Sequence, residues 1–224
     1  MIAAALVPAA GPLADRPVEM LVLLGAVALL PAALVTLTSF LKIAVVLSIA
    51  RSALGAPQVP PSTAITGLAL VLTLLVMTPV AEESLALARA APSERGIAGT
   101  AATLERAAGP LRAFLGRHAR PDDRAAFVDV ARRLRPAGPW PGEDELAVLA
   151  PAFVVSELRR AFTIGFLVFV PFLVVDLVVS NVLLALGLTQ LSPTSVALPF
   201  KLLLFVAVDG WKLLGRALAL SYAG

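Results

Sequence analysis

Four apolar blocks leave this chain few ways to fold in water. The first runs over residues 18–41 and continues past Lys42 to Arg51; the others cover 64–81, 162–188 and 196–208. A helix rises ~1.5 Å per residue, so about 20 apolar residues cross a hydrocarbon core, and the first three blocks are near that length or longer. Charge is concentrated elsewhere: 23 of the 33 Asp, Glu, Lys and Arg residues lie between Glu82 and Arg160, so the remainder is almost purely apolar. With 59% hydrophobic and 15% charged residues and a mean hydropathy of +0.92, the composition is of membrane class; a soluble domain carries about a quarter charged residues.

Helix breakers separate the blocks. "GAPQVPP" puts three prolines and a glycine within seven residues after the first block, and Ser62 or Thr63 is suited to cap the helix that follows. The middle segment reads as helical and water-facing. Pro121 followed by Asp122 and Asp123 is a helix start, Phe127, Val128, Ala131 and Leu134 share one face, and "RPAGPWPG" ends that helix. Glu143, Asp144 and Glu145 then suit the first turn of the next. The expectation is an all-α chain in three parts: apolar helices over 1–81, a polar helical segment over 82–150, and an apolar helical hairpin over 151–224. Lys42 and Arg51, with no acid between them, put the first connection in the cytoplasm by the positive-inside tendency. The middle segment and both termini then lie outside, in the periplasm of a bacterium. The N-terminal "MIAAALVPAAGPLADRP" lacks a positive n-region and reads as uncleaved.

A plain bundle of four lipid-facing spans does not suit these blocks. Prolines at 31, 79, 171, 193 and 199 fall in or beside them, and Asp176, Lys201 and Asp209 are ionisable. A charge at the bilayer centre costs roughly 2.5 to 3.5 kcal/mol on insertion scales, so such residues face protein or a water-filled path. Lys201 is near enough to a loop to snorkel, Asp209 beside Gly210 and Trp211 fits a helix end, and Glu157 before "LRR" fits a solvated helix face. Asp176, among apolar neighbours, has the weakest ordinary explanation. Asn181 and Asp209 join it as polar residues expected to be buried on assembly.

Several function classes fall away. Basic residues are interleaved with acids and the net charge is +3, so there is no basic stripe for nucleic acid. Without cysteine there is no disulfide framework, thiolate metal site or cysteine nucleophile. The single histidine, His118, sits in an arginine-rich stretch and reads as exposed; no metalloprotease, phosphate-loop or nucleophile motif accompanies it, so neither enzyme activity nor a cofactor is expected. A small secondary transporter or channel, with Asp176 and Lys201 as substrate or proton sites, stays open as the alternative, although the first two blocks do not repeat in the last two.

"TSFLKIAVVLSIARSALGAPQVPPSTAITGLALVLTLLVMTPV" (38–80), "SELRRAFTIGFLVFVPFLVVDLVVSNVLLALG" (156–187) and "SPTSVALPFKLLLFVAVDGW" (192–211) resemble the FliP/SctR (YscR/HrcR-like) family, the R-type subunit of type III secretion export gates. The resemblance covers more than half the chain, in the family's order and spacing; 1–35 and about 85–150 carry little of it. It implies a pore subunit of a protein-export channel in the bacterial inner membrane. About five copies would join S-type and T-type subunits, with U-type and V-type proteins alongside, in a helical assembly protruding into the periplasm and passing unfolded proteins. Helices that look built for lipid would then be covered by neighbouring subunits, as head-to-tail interfaces generate.

The family's "SEL" glutamate and "PFK" lysine, here Glu157 and Lys201, resemble a pair that forms a salt bridge within or between subunits. In many members three consecutive methionines after "ALG" form a gasket that seals the pore; the matching positions here are Leu188, Thr189 and Gln190. A methionine gasket is therefore not carried over, and a seal built from Leu188 and Leu191 with Thr189 and Gln190, in a gate loop over 187–193, is expected instead. The loop without methionines and the short N-terminus favour an injectisome over a flagellum.

Overall fold

Ser62 begins a helix, Pro121 begins another, and "GAPQVPP" separates two, as the local chemistry requires. The computed structural model describes residues 17–56, 58–90 and 97–223; the N-terminal stretch read as uncleaved lies mostly outside them. In chain order the elements are α1 (Pro17–Thr36), α2 (Phe40–Ala53), α3 (Ser62–Ala90), α4 (Ile97–Ala107), α5 (Gly109–His118), α6 (Pro121–Leu134), α7 (Leu146–Ala185), α8 (Pro193–Ala207) and α9 (Gly210–Leu220). Every regular element among the described residues is an α-helix, so the all-α expectation holds.

The central contact is between α2 and α7. Ile43, Val46, Leu47, Ala50 and Ala53 recur every three or four residues on α2 and are buried. Gly165 of α7 lies so close to Ile49 that a Cβ there would strike that side chain. Around this contact Ile65 and Ala69 of α3, Phe172 of α7, Phe205 of α8 and Leu214 and Leu218 of α9 complete one core. A second core joins Val80 of α3, Phe114 and Leu115 of α5, Ala119, and Leu149, Ala152 and Phe153 of α7. Tyr222, just after α9, packs against both.

Two readings of the blocks change. Arg160 to Phe162 is no boundary: α7 runs unbroken for 40 residues through Pro151 and Pro171, about 60 Å and so about twice the hydrocarbon thickness. The fourth block forms only the 15-residue α8, about 22 Å long, too short to cross alone. Among the described residues two helices, α3 and α7, are long and apolar enough to span a membrane, or three if α1 and α2, bent by 57°, count as one span. In the middle segment α6 begins at Pro121 as expected, with Val128 buried. Leu134, placed with Val128 on one face, is instead 77% exposed in the last turn of α6.

Candidate functional site: a buried polar hub and a hairpin tip

The buried face of α7 runs through Leu149, Phe153, Glu157, Ala161 and Gly165, each four residues apart. Helical period alone therefore carries Glu157 inward, and its side chain is 0% exposed. The solvated-face reading of Glu157 is thus corrected. An isolated buried carboxylate is expensive, and here three groups neutralise or bond it. Lys42 Nζ of α2, itself 1% exposed, lies 3.3 Å away. Arg160 Nη1, one turn along α7, donates to Glu157 Oε1 at 3.1 Å. The Tyr222 hydroxyl donates to Glu157 Oε2. Lys42 Nζ also sits 3.5 Å from the centre of the Tyr222 ring, a cation–π contact. Lys42 is thus an interior partner, and its use as a marker of a cytoplasmic connection is withdrawn.

His118 closes the hub from α5. It is 5% exposed, against the expectation of an exposed residue, with its ring 4.6 Å from Phe114 and 5.0 Å, edge-on, from Tyr222. Burial pushes its pKa down from 6.5 to about 4; Glu157 opposes that shift, whereas Lys42, Arg160 and Arg117 reinforce it. For Tyr222, burial first and the Glu157 carboxylate second push the phenol up, so it stays protonated and able to donate. Immediately before Glu157 on α7, buried Ser156 donates to Asp123 Oδ2 at 2.6 Å and accepts from the Arg120 backbone N–H at 2.9 Å. Arg120 is the N-cap residue of α6, so Ser156 ties the start of that helix to α7.

Lys201 is not the partner of Glu157 within the chain. It is 4% exposed, and its Nζ lies 2.6 Å from Asp176 Oδ2 on α7. The α7–α8 hairpin sets Lys201 against Asp176, 25 residues upstream, whereas Glu157 lies just over five turns further down α7 beside α2. Asp176 thus gains the explanation it lacked, although its Oδ1 is buried without a hydrogen-bond partner. Asp209, expected to be buried, is exposed with Lys212 Nζ 3.3 Å away, and it occupies the left-handed region at φ 52°, ψ 51° as the N-cap residue of α9. Asn181 is exposed on α7 in the single chain.

The loop expected to form a gate is the tip of the α7–α8 hairpin. Gly187, at φ +70°, ends α7: the Leu188 N–H donates to Leu183 O at 2.9 Å and the Gly187 N–H to Leu184 O at 3.0 Å, a Schellman closure that only a residue at ease with positive φ makes without strain. Pro193 starts α8. Between them Leu188, Thr189, Gln190 and Leu191 are all exposed. Below the tip the hairpin leaves large apolar side chains exposed on both helices, including Phe166, Leu177 and Val182 of α7 and Leu203 and Val206 of α8.

The missed residues are Lys42, Ser156 and Tyr222. The four-residue stripe through Glu157 was a legible signal for burial of the glutamate. Nothing local to Lys42 or Tyr222 announces that residues 180 apart in sequence meet.

Comparison with known proteins matches residues 23–218 to the FliP family, a span that includes the middle segment. The chain is 43% identical over 215 residues to the Yop proteins translocation protein R of Yersinia pestis, covering 92% of this chain and 97% of that one. It is 43% identical over 216 residues to the hypersensitivity response secretion protein HrcR of Ralstonia nicotianae, covering 91% and 96%. With the flagellar biosynthetic protein FliP of Pectobacterium carotovorum the identity is 47% over 205 residues, covering 92% and 78%.

Proposed function

The chain belongs to the FliP family, and on that premise we propose that it is a membrane subunit of a type III secretion export apparatus that builds the pore through which unfolded proteins leave the cell. The observation that carries the reading is the α7–α8 hairpin: two apolar helices joined by a tight, exposed tip, with large side chains facing outward along both. Such a surface is stable only when lipid or protein covers it. α8 is too short to span lipid alone, so neighbouring subunits suit it better.

In this reading about five copies join S-type and T-type subunits, with U-type and V-type proteins alongside, in the bacterial inner membrane, and the complex protrudes into the periplasm. The tips over 187–193 converge as the gate, with Leu188 and Leu191 as an apolar constriction. Asn181 and Asp209, exposed in the single chain, are covered at contacts between subunits. The loop without methionines favours an injectisome over a flagellum.

Native mass measurement of the protein coexpressed with its S-type and T-type neighbours tests the assembly. A complex holding about five copies is expected; a monomer or dimer that transports a solute would support the transporter alternative instead. For the gate, removal of Leu188, Thr189 and Gln190 is expected to make the closed channel leak small ions, and unchanged permeability would rule the loop out as the seal.

A further inference from the structure

Tyr222 is the one tyrosine of the chain, and four of its contacts come from three different helices. Its ring lies nearly parallel to Phe114 of α5, with centroids 5.8 Å apart and planes at 20°. His118 meets it edge-on at 5.0 Å, and Lys42 of α2 lies over its face. Its hydroxyl reaches Glu157 of α7 and, at 3.4 Å, the backbone O of Ser39. The segment that delivers it is lightly held. α9 has 11 residues, a length at which an isolated helix is marginal. Leu214 and Leu218 are its buried large side chains, while Leu213 and Leu220 are exposed. It joins α8 through Asp209, where the chain turns in the left-handed region, and Gly210 and Trp211 hold its near end against Phe205 of α8, so the far end depends on Leu214, Leu218 and Tyr222.

We propose that Tyr222 is a releasable latch: its phenol ties the segment after α9 to buried Glu157, and withdrawal of the phenol frees α9 to swing about Asp209 while α8 stays tied through Lys201 to Asp176. What makes the latch releasable is the division of labour at Glu157. Lys42 and Arg160 neutralise the carboxylate between them, so loss of the phenol removes one hydrogen bond and leaves no bare buried charge. Loss of Lys42, by contrast, would leave Glu157 with Arg160 alone and remove the buried cation that α2 brings to the α2–α7 contact. A released α9 exposes Leu214 and Leu218 and uncovers Leu72 of α3, against which Gly215 packs. The open state is therefore favoured where detergent, lipid or protein covers those side chains, and in the parent chain the phenol holds it closed. The inference concerns the single chain and does not depend on the export reading.

Hydrogen exchange on the purified protein in detergent micelles tests it, with Tyr222→Phe and Tyr222→Ala. The phenylalanine variant keeps the ring against Phe114 and His118 and loses only the hydroxyl. Its amides over 214–220 are expected to exchange about tenfold faster, the scale of one lost hydrogen bond to a charged group, while those of α2, α3 and α5 stay within about twofold of the parent. Three results overturn the latch: unchanged exchange in α9 of Tyr222→Phe, loosening in Tyr222→Ala alone, which assigns the anchor to ring stacking, or equal acceleration across α2, α5 and α7, which makes Tyr222 a core residue. Because the chain has no cysteine, a spin-label pair at Ala113→Cys and Ala217→Cys reads the swing directly. The distance distribution is expected to be narrow in the parent and broad in Tyr222→Phe, and an equally narrow distribution in both would refute the motion.

Discussion

His118 gives the sharpest quantitative handle, because it is the only histidine and can be read without ambiguity. In the folded chain its pKa is about 4, against 6.5 for an ordinary histidine, chiefly because burial disfavours the imidazolium. Between those two values the unfolded chain binds the proton and the folded chain does not, so stability falls as pH falls through that window. One pKa unit corresponds to about 1.4 kcal/mol, so the loss is about 3 kcal/mol by pH 4, of which about 2 kcal/mol is already lost at pH 5. For a chain of this length that is a fall in midpoint temperature of about 4–8 °C between pH 7.5 and pH 5. The assay is a thermal scan in detergent over that range for the parent and for His118→Gln, with carboxylates common to both. The difference between the two slopes isolates the imidazole. In parallel, protein labelled with 13C-histidine is titrated by NMR, where a single midpoint near 4 is expected. A midpoint at 6.5 or above, or identical pH slopes in the two proteins, would refute the buried neutral imidazole and with it the packing of His118 beneath Tyr222.

Three further outcomes follow from the geometry. Asp176→Leu strands Lys201 and is expected to cost about 3–5 kcal/mol, whereas the double change Asp176→Leu with Lys201→Met restores most of it; in secretion assays Asp176→Lys, and not Glu157→Lys, should rescue Lys201→Glu, and the opposite pattern would reinstate the Glu157 pairing between subunits. Gly165→Val drives a branched side chain into Ile49 and is expected to lower stability by about 1–3 kcal/mol, with partial recovery in Ile49→Ala; a neutral Gly165→Val would mean that α2 and α7 do not approach this closely. Ser156→Ala leaves Asp123 and the Arg120 N–H without their shared partner and is expected to cost about 1–3 kcal/mol, with hydrogen exchange faster in the first turn of α6 than at its end.

Helix starts and breaks were legible because they are local. Pro121 with Asp122 and Asp123, Pro193, and the proline-rich run before Ser62 act on their immediate neighbours, and each marks an element end in the structure. Lengths were less legible: hydropathy ended the third block near Phe162, yet α7 continues back to Leu146, since a helix passes from a polar to an apolar setting without a backbone break. The export-gate family was legible from long motifs. Its implied ion pair was not legible in the single chain, because Glu157 and Lys201 sit on neighbouring helices at heights that the motifs do not encode.

By itself, then, the sequence determined a helical, membrane-class chain of the FliP family with a tight hairpin near 187–193, because apolar run length, turn chemistry and motif identity are properties of short stretches. Only the tertiary structure decided which charge meets which. Lys201 goes to Asp176 because α8 folds back along α7 from Gly187. Glu157 goes to Lys42 because Gly165 lets α2 lie close against α7. Tyr222 joins them from the far end of the chain. A buried charge takes the partner that packing brings within reach, and that distance is set by the whole fold.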